Sequence, residues 1–171
     1  MTRSIKAVLF AAVGLALPAS ASDHDGAPVG SQAVVAPELS VPARIERAMF
    51  GEHRSADNIA RNRSRHPVGT LHFFGLQADM TVMEIWPSSG WYTEVLAPAM
   101  RDTGKLQVAA YDTSIEGQPE YRYRLHERLL GKFDAHPGIY DQVEVVPYSP
   151  PHTEDLGEPE SVDMVLTFRN L

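Results

Sequence analysis

From residue 80 onward the chain alternates short apolar runs with helix-patterned stretches, and this alternation limits the fold more than any other feature. Thr81–Trp86 (TVMEIW), Lys105–Tyr111 (KLQVAAY), Gln142–Val146 (QVEVV) and Ser161–Phe168 (SVDMVLTF) are rich in β-formers and almost continuously apolar. Runs of that kind suit strands buried on both faces, as in a parallel sheet covered by helices. Between the first two, Tyr92, Val95, Leu96, Ala99 and Met100 share one helical face, and Pro98 is expected to kink or end that helix. Between the second and third, Pro119 suits a helix start, and Tyr121, Leu125, Leu129 and Phe133 recur every four residues as a core stripe. His136-Pro137-Gly138 stops it. Strands separated by helices join right-handed into a doubly wound α/β sheet with helices on both faces.

The sequence before that point divides in two. Met1–Ala21 has Arg3 and Lys6, an apolar stretch from Ala7 to Leu17 and a Pro18-Ala19-Ser20-Ala21 ending, the parts of a cleavable secretory signal cut after Ala21. Its apolar stretch is about half the ~20 residues a bilayer-crossing helix needs. A periplasmic or secreted location is therefore expected, with no membrane attachment once the leader is removed. Residues 22–42 are rich in Pro, Gly, Ser and Ala and read as a flexible lead-in, with His24 solvated among acidic neighbours. The domain is expected over 43–171. It begins with a short helix at Ala43–Met49, a second capped near Ser55–Asn58 and stopped before Pro67, and a third over Pro67–Leu76. Arg61, Arg63 and Arg65 in the second spread around the helix and read as a solvated face, with an anion site as the sharper alternative. The chain closes three residues after its last apolar run, which reads as a domain that continues further.

Composition narrows the chemistry. With no cysteine, thiolate metal sites, disulfides and cysteine nucleophiles are excluded. Fifteen basic against twenty-two acidic side chains, a net charge of −7 and no long Lys/Arg run argue against nucleic acid as a partner. His53, His66, His72, His126, His136 and His152 form no H-x-H or H-x-x-x-H pair, so no metal site is expected. The G-x-G-x-x-G dinucleotide fingerprint, the P-loop and the G-x-S-x-G elbow are all missing.

What remains is a constellation at the end of the first strand. Ligands of open α/β sheets lie beyond the carboxyl ends of the strands, where strand order reverses. The turn after Trp86 is Pro87-Ser88-Ser89-Gly90, whose small residues admit a ligand to the backbone and lead straight into a helix. Asp112 stands at the end of the second strand, where a carboxylate is placed to accept the two hydroxyls of a ribose. Glu84 lies within an apolar strand, a costly position unless it meets a donor or a cation, so it is expected to face a ligand or an Arg. Trp86 and Trp91 flank the turn, as core residues or as a stacking surface for adenine. Read as structure alone, the turn is an ordinary strand-to-helix connection and Asp112 a cap.

The stretch Thr81–Arg101, the Lys105–Asp112 strand and the Val165–Leu171 ending resemble a family of exported class I S-adenosylmethionine-dependent methyltransferases. The resemblance runs from about residue 43 to the end and is most specific over Trp86–Pro98. It implies a Rossmann-like class I methyltransferase sheet of about seven strands, of which about four lie in this chain. It implies S-adenosylmethionine as cofactor, with Glu84, Pro87, Ser88, Ser89 and Gly90 around the methionine part and Tyr92 nearby. Asp112 would hold the ribose, and Arg169 and Asn170 would approach the methyl group or the substrate. In the family the turn is richer in glycine; here Ser88 and Ser89 stand instead. The family pattern also continues beyond Leu171, so this chain by itself is expected to be inactive.

Three functions follow in order. The first is a periplasmic S-adenosylmethionine-dependent methyltransferase-like protein acting on a small molecule or an unidentified substrate. The second is a non-catalytic periplasmic binding or interaction module that keeps the fold. The third, a nicotinamide-dependent oxidoreductase, is disfavoured by the missing glycines.

Overall fold

The structure, a computed structural model, describes residues 38–170. The leader and most of the lead-in lie outside the described residues. The first elements are four short helices: α1 (Val41–Ala48), α2 (Ala56–Ala60), α3 (Asn62–Arg65) and α4 (Pro67–Phe73). Ser55 caps α2, its hydroxyl accepting the Asn58 N–H at 3.2 Å. The single helix expected from there to His66 is instead broken at Arg61. Just beyond the break the buried Asn62 donates to the Met49 carbonyl at 2.9 Å and accepts from Arg54 at 2.8 Å, tying this segment to the end of α1. His66 then adopts a left-handed conformation (φ 44°), in keeping with a following proline that disfavours right-handed helix at this position, and Pro67 starts α4.

The remaining elements are β1 (Thr81–Ile85), α5 (Thr93–Met100), β2 (Lys105–Ala110), α6 (Glu120–Ala135), α7 (Pro137–Tyr140), β3 (Val143–Pro147) and β4 (Met164–Thr167). The four strands form one parallel sheet in the order β3-β2-β1-β4. The chain thus leaves β1 for β2 and β3 on one side, then crosses back to place β4 on the other. This is the strand order of a Rossmann-like α/β sheet, with its switch point between β1 and β4. Glu84 sits in the register between Val108 of β2 and Leu166 of β4.

One face of the sheet carries the core. Val82, Leu106, Val108 and Leu166 pack with Val95 and Leu96 of α5, Leu129 of α6, Ile45 of α1 and Leu71 of α4. Alternation places Gln107, Glu144 and Val165 on the other face, where Gln107 donates to Glu144 across β2 and β3 at 2.9 Å. The central strands are buried as expected. The outer two are not: Val165 of β4 is 53% exposed, because each outer strand has a neighbour on one side only. The stripe on α6 is also narrower than its spacing suggests, with only Leu129 buried and Tyr121 45% exposed.

Pro98 neither ends nor breaks α5, which continues to Met100. A proline in that position cannot donate to the Glu94 carbonyl four residues earlier. His53 supplies the missing partner, with Nε2 at 2.8 Å from that oxygen. A helix-breaking residue is thereby tolerated through a contact from the segment between α1 and α2.

Candidate functional site

At the end of β1 the backbone takes three unusual turns in quick succession. Trp86 has φ 47°, Ser88 φ 56° and Gly90 φ 80°. Left-handed backbone suits glycine, and costs a side chain of the Trp or Ser type about 1 kcal/mol or more. Such strain persists only when neighbours enforce it. Here the Gly90 N–H closes the bend on the Pro87 carbonyl at 2.8 Å, the Gly90 carbonyl accepts the Glu94 N–H at 3.0 Å, and Lys132 of α6 holds the Ser89 carbonyl at 2.5 Å. Asn170 finishes the frame by donating to the Ile85 and Trp86 carbonyls at 3.2 and 3.1 Å. At Gly90 a Cβ would also stand 2.7 Å from Leu129, so α6 packs directly over the bend.

Beside this bend is a cavity of about 380 Å³, walled by Glu84, Pro87, Ser88, Ser89, Tyr92 and Arg169 together with Trp86, Trp91, Arg61, Arg65 and Phe168. Six of the nine residues that the sequence singled out thus meet around one space. The others stand apart from it. Gly90 shapes the bend, Asn170 pins the end of β1, and Asp112 belongs to a different loop.

Glu84 is the centre of the arrangement. It is only 2% exposed, and its Oε2 accepts the Thr93 hydroxyl at 2.6 Å. Among the described residues it forms no ion pair. Burial raises its pKa from 4.5 to about 7, against the hydrogen bond from Thr93 and the pull of Arg65 and Lys132. It is a carboxyl group that stays largely protonated below neutral pH and that a positive charge brought to it would ionise. The Arg65 guanidinium lies over Trp91, 4.7 Å from the ring centre, and 5.7 Å from that of Tyr92. Tyr92 in turn stacks on Phe168 at 3.6 Å. The cavity therefore offers a buried acid, a fixed guanidinium and an aromatic wall, a combination suited to a molecule that bears both an ammonium and a carboxylate.

Asp112 is placed differently from the expectation. It is not on the cavity wall, and both its carboxylate oxygens are engaged: Oδ1 by the Ser114 N–H and hydroxyl at 3.0 and 2.6 Å, Oδ2 by Thr153 at 2.5 Å. Those hydrogen bonds, Ser114 first and then Thr153, hold its pKa below the usual range. Trp86, on the cavity wall, stacks on Tyr111 at 5.8 Å and packs on Tyr148 at 5.5 Å, with its Nε1 donating to the Tyr148 carbonyl at 3.2 Å. Trp86 accordingly belongs to an aromatic cluster. Trp91, also buried, donates to the Asn58 carbonyl at 3.0 Å.

Two further features complete the site, the first of them on the side of the alternative anion reading of the arginines rather than the solvated face. Arg61 and Arg65 are four residues apart and so share a side, which puts both on the cavity wall while Arg63 is exposed elsewhere. That spacing was visible; which side met the sheet was not. The second is a buried ionic cluster behind the bend. Glu94 is 1% exposed and pairs with Arg54 at 3.0 Å, with Lys132, and with the Asn58 amide at 2.9 and 3.0 Å. It joins the bend to the N-terminal helices. Among the described residues no group of three or more His, Asp or Glu is placed to hold a metal ion.

The sequence matches no protein-family model and no curated protein. Solved structures that it resembles in fold are methyltransferases. An S-adenosylmethionine-dependent methyltransferase from Aquifex aeolicus shares 19% identity at a TM-score of 0.49, over 74% of this chain and 55% of that one. A protein-L-isoaspartate O-methyltransferase shares 17% at 0.43, over 60% and 28%. The O-methyltransferase TomG from Streptomyces achromogenes, in complex with S-adenosylmethionine, shares 16% at 0.41, over 78% and 55%. The chain thus spans about half or less of these proteins' lengths.

Proposed function

We propose that this chain is a methyltransferase-like protein that binds S-adenosylmethionine, or its demethylated product, at the cavity beside the Pro87–Gly90 bend. The observation that supports this most is Glu84, a buried carboxyl group with no ion-pair partner among the described residues, at the switch point of a Rossmann-like sheet. The methionyl end of the cofactor fits the residues present. Its ammonium would meet Glu84, its carboxylate Arg65, and its sulfur the wall formed by Tyr92 and the bend. When bound, S-adenosylmethionine supplies an electrophilic methyl group, and the protein's part is to hold it in line with an acceptor. The ribose end is not provided for as the residues stand, because both Asp112 carboxylate oxygens already accept hydrogen bonds, from Ser114 and from Thr153 of a distant loop. The leader expected over Met1–Ala21 supports a location for this activity in the periplasm or outside the cell.

That second observation favours another reading, a non-catalytic periplasmic module that keeps the fold and recognises only a zwitterionic amino-acid end. Calorimetric titration separates the two, with S-adenosylhomocysteine and free methionine as ligands. The cofactor reading expects S-adenosylhomocysteine to bind at least tenfold tighter, since Asp112 would open to its nucleoside. Equal affinities support the binding module. No heat from either ligand, with the fold intact, contradicts both.

A further inference from the structure

A second cavity of about 340 Å³ adjoins the first and shares Arg61, Arg65, Tyr92, Phe168 and Arg169 with it. Three guanidinium groups thus surround a space large enough for a small molecule, at the carboxyl ends of β1 and β4. None of the three is in an ion pair among the described residues. They also feel one another: the pKa of Arg65 is lowered by burial first, then by Arg61, and further by Arg169. Tyr92 and Glu84 act on Arg65 in the opposite direction, and the three positive charges around one space still favour an anion there. Arg65 is the anchored member of the three, and Arg61 and Arg169 stand exposed at the rim. Arg65 is stacked on Trp91 and Tyr92, and Arg169 takes a left-handed backbone (φ 65°) between Phe168 and the anchored Asn170. Tyr92 and Phe168 give the same space an apolar wall.

We infer that this outer cavity receives the second ligand of the site, a small molecule bearing an oxyanion, carboxylate or phosphate, which Arg61 and Arg169 bind. Guanidinium groups suit either oxyanion because both accept paired N–H donors. The inference rests on the cofactor reading for the word second, since Arg65 is then taken by the cofactor's carboxylate. The anion site itself does not depend on it.

The test is a titration of the full chain with inorganic phosphate and with benzoate at constant ionic strength, followed by NMR of the arginine side-chain resonances. It is run without and with saturating S-adenosylhomocysteine. We expect saturable shifts with both probes, weakened at least tenfold by Arg61→Gln and by Arg169→Gln, and unchanged by Arg63→Gln, which alters an exposed arginine of the same segment. Arg61→Lys and Arg169→Lys, which keep the charge, are expected to recover part of the binding. Tighter phosphate points to a phosphorylated ligand, and tighter benzoate to a carboxylate on an apolar body lying against Phe168. Shifts that never saturate, or that Arg63→Gln weakens equally, overturn the inference. So does competition in which phosphate displaces S-adenosylhomocysteine, since the guanidinium groups would then serve the cofactor alone. Should S-adenosylhomocysteine fail to bind while the arginine-dependent anion shifts persist, the cofactor reading falls and the anion site stands.

Discussion

Two glutamates ten residues apart, Glu84 and Glu94, are both withdrawn from water at opposite sides of one bend, and they are treated in opposite ways. Glu94 is surrounded by Arg54, Lys132 and the Asn58 amide, so its charge is fully answered. Glu84 has one hydroxyl, from Thr93, and a cavity. A carboxylate matched from within holds a structure together. One left short of a partner weakens the empty fold and is useful only to a ligand that completes it. The contrast separates the part of the site that shapes the bend from the part that binds.

The largest effect expected is at the matched acid. Glu94→Gln leaves Arg54 and Lys132 buried or half-buried beside a neutral group, and breaking a buried pair in this way costs about 3–5 kcal/mol. Urea denaturation should show it as a lower midpoint at unchanged slope. If Glu94→Gln is as stable as the parent, the cluster does not fasten the N-terminal helices to the bend.

The second effect has a pH signature. The folded pKa of Glu84, about 7, lies above its ordinary 4.5, so between those values the folded state holds a proton that the unfolded chain releases. Stability therefore falls as pH rises from 4.5 through 7, by roughly 3 kcal/mol in all. Glu84→Gln should remove that slope, being as stable as the parent near pH 4.5 and more stable at pH 8. Denaturation midpoints across this range would reveal the opposite outcome, a slope that the variant retains.

The smallest effect concerns strain. Ser88→Gly releases a left-handed serine at φ 56° and is expected to stabilise by up to about 1 kcal/mol, the gain being trimmed by the greater freedom of glycine in the unfolded chain. Ser89→Gly, which relieves no positive φ, should give no gain. Thermal midpoints of the two single variants distinguish them, and equal midpoints would mean that Ser88 is not strained.

Much of the sheet could be read from the chain because parallel strands covered by helices leave a local mark, a run of apolar β-formers. Thr81–Ile85 and Lys105–Ala110 fall inside the runs expected. The break at Arg61 and the persistence of α5 through Pro98 could not be read, since both depend on distant partners, Met49 for Asn62 and His53 for the Glu94 carbonyl. The site divides in the same way. Glu84, the bend, Tyr92 and Arg169 come together because they sit at strand ends, which strand order alone brings side by side. Asp112 also sits at a strand end, yet Ser114 and Thr153 claim its oxygens, and Thr153 comes from a loop some forty residues away in the chain. The pairing of Arg54 with Glu94 spans a similar distance and leaves no pattern in the sequence.

The central claim is that Glu84 is an acid held in reserve for a positively charged group. Titrating S-adenosylhomocysteine at pH 6, in two buffers of different ionisation enthalpy, measures it directly. The account predicts that binding releases close to one proton there, that affinity climbs through pH 7 and levels off near pH 8, and that Glu84→Gln loses both the proton release and at least tenfold in affinity. Binding that releases no proton, and that Glu84→Gln leaves untouched, would contradict it.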